Sequence, residues 1–223
     1  MREIVLDTET TGFRQKDGDR IVEIGCVELV NHVPTGNKFH QYINPERDMP
    51  KDAFNVHGLS HEFLCDFPVM ADVMDEFLEF IGRETPLIIH NAEFDIGFIN
   101  AELNYLEKSP LPMSRSIDTL RIARKKFPGA PVSLDALCRR FSINNTSRNL
   151  HGALLDAELL AEVYLELIGG RQSNFELTPD ETIDTALALK PQRREHRLYN
   201  VSEAEKSAHA LFLKKIKNPL WGT

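Results

Sequence analysis

Near the start of the chain an apolar run closes on two acids, Ile4-Val5-Leu6-Asp7-Thr8-Glu9, and continues into Thr10-Thr11-Gly12. Side chains alternate along a strand, so Asp7 and Glu9 project from one face. Carboxylates this close repel one another unless a cation lies between them. Oxygen ligands of this kind suit a divalent ion, magnesium or manganese. A strand end open to water is the competing reading, and only further acids arriving at the same place separate the two.

Two more acids sit where acids are unexpected. Asp156 keeps i+3, i+4, i+7 and i+11 spacing with Leu159, Leu160, Val163 and Leu167, so it lies on the apolar stripe of a helix. The solvated face of that helix is carried instead by Glu158, Glu162 and Glu166. A carboxylate at the edge of a core needs a partner, and His151 stands five residues earlier. Asp95, in His90-Asn91-Ala92-Glu93-Phe94-Asp95, has Phe98 and Ile99 at i+3 and i+4. Taken singly, either acid is explained by the favourable field of a helix start. Four carboxylates meeting at one end of a sheet are hard to explain without metal ions.

The elements that must bring them together are legible in outline. Arg20 to Val30 is rich in β-branched residues and reads as a second strand. Asn37 to Asn44 reads as a third, after a turn at Pro34-Thr35-Gly36, giving an antiparallel meander with the first. Asn44 to Pro68 reads as loop with short helical pieces. A helical stripe covers 69–81. Leu87-Ile88-Ile89 is a short strand of the kind buried on both faces, and a helix over about 93–107 follows it. A short strand near 115–119 leads into helical 120–127. Ser133 reads as the N-cap of a helix to Phe141, and a strong helix over 153–168 stops at Gly169-Gly170.

Beyond residue 170 the character changes. Residues 171–200 hold Pro179 and Pro191 and read as a loose linker. Within them Gln172-Ser173-Asn174-Phe175-Glu176-Leu177 offers a glutamine and two apolar anchors, the pattern of a peptide that docks on a sliding clamp. Ser202 and Glu205 form a capping box for a helix in the 201–223 tail. Ala204, Ala208, Leu211 and Phe212 line one side of that helix, and Leu220 and Trp221 follow.

Composition narrows the function classes. The 223 residues carry a formal net charge of −8, so the overall field does not draw the chain to nucleic acid. An acidic site that holds metals remains compatible with a nucleic-acid enzyme. No run of about 18 apolar residues marks a membrane span, and the start shows no signal-peptide pattern, so a cytoplasmic location is expected. Cys26, Cys65 and Cys138 are scattered, and no disulfide frame or zinc site is expected from them.

The motifs Asp7-Thr8-Glu9-Thr10-Thr11-Gly12, His90 to Asp95, and His151-Gly152-Ala153-Leu154-Leu155-Asp156, in this order, resemble the DnaQ-like 3′–5′ exonucleases, DEDDh subgroup. The resemblance covers about residues 1–170. It implies an α/β, ribonuclease H-like mixed sheet flanked by helices, here with a C-terminal tail. It implies two divalent ions, Mg2+ or Mn2+, with Asp7 bridging both, Glu9 and Asp156 completing one site and Asp95 serving the other. His151 would be the general base, and Asp7, Glu9, Thr10, His57 and Asn91 would touch the substrate, a single-stranded 3′ end of DNA. More narrowly, the chain is similar to the members that proofread beside a bacterial replicative polymerase. That implies docking to the polymerase alpha subunit through the tail, with a sliding clamp and a small theta-like subunit as further partners. An RNA-trimming relative and a non-catalytic scaffold remain open at this point.

Overall fold

The computed structural model describes residues 1–146, 150–169 and 200–217. The chain divides into two compact units, Met1–Phe175 and Glu176–Thr223. The proposed clamp peptide, most of the linker, and Leu220 and Trp221 lie outside the described residues.

The first unit is built on a five-stranded sheet in the order β3-β2-β1-β4-β5. Its strands are β1 (Arg2–Thr10), β2 (Ile21–Val30), β3 (Val33–Tyr42), β4 (Leu87–Ile89) and β5 (Ser116–Asp118). The first three form the antiparallel meander. β4 pairs parallel with β1, and β5 parallel with β4. The helices are α1 (Lys51–His57), α2 (His61–Leu64), α3 (Met70–Ile81), α4 (Ala92–Tyr105), α5 (Thr119–Lys126), α6 (Leu134–Phe141) and α7 (Ala153–Leu167).

Alternation along β1 divides the core into two layers. Ile4 and Leu6 enter one layer with Phe77 of α3 and Phe98 of α4. Val5 enters the other with Leu137 of α6 and Leu160 and Val163 of α7. Continuing the alternation puts Asp7 and Glu9 on the α7 face and Thr8 on the α4 face. β4, apolar at every position and fully buried, separates the layers as expected of a strand covered on both sides.

The third strand differs from the sequence expectation. It begins at Val33, and the hairpin turns at Asn31-His32, both at positive φ (52° and 66°). Pro34-Thr35-Gly36 is not the turn. It lies where the β2–β3 register shifts, with Gly36 at φ 88° taking up the irregularity. His32 Nδ1 lies 2.7 Å from Oε2 of the fully buried Glu3, off hydrogen-bond geometry, and Tyr164 donates to Glu3 Oε1 at 3.0 Å. These contacts hold a left-handed residue that would otherwise be unfavourable.

Two short-range signals hold as expected. Ser133 accepts from the Ala136 N–H at 3.3 Å at the start of α6. In the second unit, α8 (Glu203–Leu213) opens with the Ser202–Glu205 capping box. Its Leu211 and Phe212 are exposed. Among the described residues no helix is long and apolar enough to cross a membrane.

Gly25 decides how closely α7 approaches the sheet. It pairs with Asp7 across β1 and β2. A Cβ there would collide with the backbone of Ala153 and Leu154, the first turn of α7. Backbone cannot swing aside as a side-chain end can, so Gly25→Ala is expected to lower stability by about 1–3 kcal/mol. A urea midpoint equal to that of the parent protein would show that α7 is not held at this distance.

Candidate active site

The acids meet at the C-terminal ends of β1 and β4. The strand order reverses beside β1, because the chain runs outward through β2 and β3 and returns to β4. A crevice outside such a reversal is where open α/β sheets place ligands. Asp7 and Glu9 come from the end of β1, Asp95 from the first turn of α4, and Asp156 from the first turn of α7. All four line one cavity of about 500 Å³ together with His151.

Within it Glu9, His151 and Asp156 each offer a ligand atom, and these atoms lie within 4.8 Å of one another. His151 Nδ1 is 3.3 Å from Asp156 Oδ2. That contact places the Nδ1 proton toward the carboxylate and makes Nε2 the basic nitrogen. Asp156 is buried, while the His151 side chain is half exposed toward the cavity. The His151 N–H donates to the Val56 carbonyl at 3.1 Å, tying the loop before α7 to the end of α1.

Asp95 is 3% exposed, and its Oδ1 accepts from the Thr8 hydroxyl at 2.7 Å. Burial is the largest influence on its carboxyl and raises it from 3.8 to about 7, against the opposing effect of the Thr8 hydrogen bond. Such a group is poised to lose its proton when a cation arrives. The fit to divalent ions is therefore good: four carboxylates converge, two of them are buried, and three donor atoms are already clustered.

A second cavity of about 500 Å³ adjoins the first and shares Thr8, Glu9 and Phe94 with it. Thr10, Gly12, Phe13 and His57 line it. The Thr10 hydroxyl donates to the Gly12 carbonyl at 2.6 Å, closing the turn after β1. His57 is buried at the end of α1, and its Nδ1 accepts from the Leu59 N–H at 3.0 Å. The proton then belongs on Nε2, which is buried and lacks a hydrogen bond of good geometry. Burial holds this imidazole below its ordinary range, while the Glu23 carboxylate and the Thr10 backbone partly oppose the effect.

The sequence-selected residues are thus gathered in two adjoining spaces, with one exception. Asn91 caps the head of α4 in a left-handed conformation (φ 74°, ψ 57°), and its N–H donates to Asp118 Oδ1 at 3.3 Å. It is in the wall of neither cavity. Asparagine tolerates this conformation better than most residues, so the position sets the direction in which α4 leaves β4. Sequence reasoning passed over Thr8, Phe13 and Phe94. For Thr8 the signal was alternation, which sends it to the face opposite Asp7. For Phe94 it was adjacency to Asp95 in the second motif.

Comparison with known proteins identifies the family. A family model described as Exonuclease matches residues 4–164. The chain is 57% identical to a DNA polymerase III subunit epsilon of Rickettsia felis, over 83% of this chain and 81% of that protein. It is 51% identical to the subunit of the same name from Rickettsia prowazekii, over 97% of both chains. Among solved structures, exonuclease X in complex with 5′ overhanging duplex DNA is 26% identical. That structure superposes with a TM-score of 0.58 over 74% of this chain and 90% of its own. The chain belongs to the DNA polymerase III epsilon-subunit family, whose exonuclease fold it carries.

Proposed function

We propose that this chain removes mispaired 3′-terminal nucleotides during DNA replication, as the 3′–5′ proofreading exonuclease of a bacterial polymerase III in the cytoplasm. The observation that carries the reading is the convergence of Asp7, Glu9, Asp95 and Asp156 on one crevice, with His151 held against Asp156 at 3.3 Å. Asp7, Glu9 and Asp156 would hold one divalent ion, and Asp7 and Asp95 a second, Mg2+ or Mn2+. Bound there, the pair supplies activation of the attacking water and neutralisation of charge on the phosphate.

The chain's own residues do the rest. His151 Nε2 takes the proton of the attacking water, and Asp156 steadies the imidazolium that results. The water oxygen bonds to phosphorus, and the bond from phosphorus to the 3′ oxygen of the preceding nucleotide breaks. The departing 3′ oxygen takes a proton from solvent, and a nucleoside 5′-monophosphate and a strand with a new 3′-hydroxyl leave. The terminal nucleoside occupies the cavity beyond Glu9, where Phe13 and Phe94 offer aromatic faces to a base and Thr10 and His57 offer polar contacts. Stacking of this kind accepts any base, as proofreading requires. Asn91 acts on the substrate through the placement of α4.

The test is metal-dependent release of mononucleotides from single-stranded DNA with a free 3′ end, compared with RNA of the same sequence. His151→Ala is expected to lower turnover by about 10²–10⁴-fold while metal binding, followed by calorimetry, is kept. Turnover equal to the parent's at saturating metal removes the base assignment. Preference for RNA removes the proofreading reading.

Asp95 gives a pH dependence with a definite sign. The unfolded chain ionises this acid near 3.8, whereas the folded, metal-free protein keeps the proton to about 7. Its contribution to stability is full below the lower value and is lost as pH rises through the upper one. In chelator, the melting temperature is expected to fall between about pH 4 and about pH 7, and Asp95→Asn should flatten that fall. Added Mg2+ or Mn2+ should restore more at the higher pH. An Asp95→Asn profile that parallels the parent's rejects the assignment.

The tail serves attachment. α8 is a short helix whose Leu211 and Phe212 are exposed, and such a helix is marginal without a surface to bury them. The polymerase alpha subunit is the proposed surface, and residues 171–200 are the tether. Leu211→Asp/Phe212→Asp is expected to weaken co-purification with the alpha subunit at least tenfold, by roughly the loss of one or two buried side chains. Hydrolysis of short single strands should not change. Undiminished association would place the contact elsewhere.

A further inference from the structure

The net charge of −8 and the acidic crevice leave open how the protein holds a polyanion beyond the reacting phosphate. α5 supplies an answer. Four of its eight residues are cationic, Arg121, Arg124, Lys125 and Lys126. Lys126 is already committed, donating to the Glu166 and Leu167 carbonyls at the end of α7. Arg121, Arg124 and Lys125 are exposed, and among the described residues none has a carboxylate in ion-pair contact. Positions i, i+3 and i+4 share one side of a helix, so the three form a single stripe.

The stripe has a direction. Arg124 lines the acid cavity and not the space assigned to the terminal nucleoside. Arg121 lines a separate cavity of about 480 Å³ with Met113, Ser116 and Ile122, and with the acids Glu93 and Asp118. Asp118, the acid nearest the head of the helix in sequence, is occupied by the backbone N–H groups of Leu120, Arg121 and Asn91. Past the other end Arg140 lies over the Phe127 ring at 4.4 Å and extends the positive surface.

We infer that Arg121, Arg124 and Lys125 form the track for the sugar–phosphate backbone on the 5′ side of the scissile bond, holding the nucleotides that precede the terminal one. This rests on the exonuclease reading. With the last nucleoside beyond Glu9 and its phosphate at the acids, the strand leaves through the cavity that α5 borders. The contact is to phosphate, so it is indifferent to sequence and sensitive to salt.

The experiment uses the full chain with Mg2+ and two probes: the p-nitrophenyl ester of thymidine 5′-monophosphate, which has one phosphate, and a single-stranded oligothymidylate. Arg121→Gln/Lys125→Gln keeps good helix formers at exposed positions, and melting temperature checks its fold. Its KM for the oligomer is expected to rise roughly tenfold, and the slope of log KM against log salt to fall by about 1.4. Ester hydrolysis should stay at the parent's level, and Arg121→Lys/Lys125→Arg should behave as the parent. Adding Arg124→Gln should deepen the loss on the oligomer. Should the double variant fail to fold, Arg121→Gln and Lys125→Gln singly carry the same comparison, each with about half the change in slope. An unchanged oligomer KM and salt slope overturns the track, as does an equal loss on both probes. A parent protein that hydrolyses neither probe refutes the exonuclease reading instead.

Discussion

Four carboxylates at one end of a sheet repel one another, and two of them, Asp95 and Asp156, are also cut off from water. Burial opposes the ionisation of Asp95, and Asp118, an acid outside the four, adds a smaller repulsion. With no cation beside it, the buried Asp95 carboxyl keeps its proton to about 7. The scaffold must therefore hold the acids together against their own field. Much of the surrounding structure makes sense as that restraint.

Several of the restraints are distant from the crevice. Arg20, at the entrance to β2, grips the buried Glu102 through two hydrogen bonds of 2.8 and 2.9 Å, and Glu102 also accepts from the Ile21 N–H at 3.4 Å. The pair locks the far part of α4 to the meander, while Thr8 holds the near part through Asp95. α4 is thus fixed at two points on one sheet, and Asp95 cannot retreat from the crevice. A buried ion pair is weak evidence of net stability but strong evidence of fixed geometry once the loss of either partner is considered. Gly25 does the equivalent for α7 by removing a side chain where the helix must touch the sheet.

The parts of this arrangement legible in the sequence were those with a local period. Alternation placed Asp7 and Glu9 on one face, and helical spacing placed Asp156 on the buried stripe of α7. Both follow from geometry within a few residues. The hairpin at Asn31-His32 escaped because Pro34-Thr35-Gly36 carries the stronger turn composition. The preference for the earlier turn arises from Glu3 and Tyr164, which are remote in sequence. Thr8 escaped for the same reason, since its partner Asp95 lies 87 positions away. Gly25 carries no local signal of its role, and only the packed helix reveals that a side chain there has no room. Asn91 illustrates the converse: its place in a motif suggested substrate contact, and its left-handed backbone at the head of α4 adds a structural part that the motif did not reveal.

The same acids that make hydrolysis possible create a difficulty for substrate capture. An anionic strand approaching an anionic crevice is attracted only once metal ions have neutralised the carboxylates, and that attraction is confined to the last phosphate. Binding the rest of the strand tightly would not help a proofreader, because a correctly paired end must be released as readily as it is sampled. The phosphate track and the polymerase tether proposed above would meet both requirements. Such a tether would raise the local concentration of 3′ ends without adding affinity at the site. The cations orient the strand only while it is frayed and within reach. Weak local binding with strong remote attachment lets the state of the primer terminus, paired or unpaired, decide whether the site is filled.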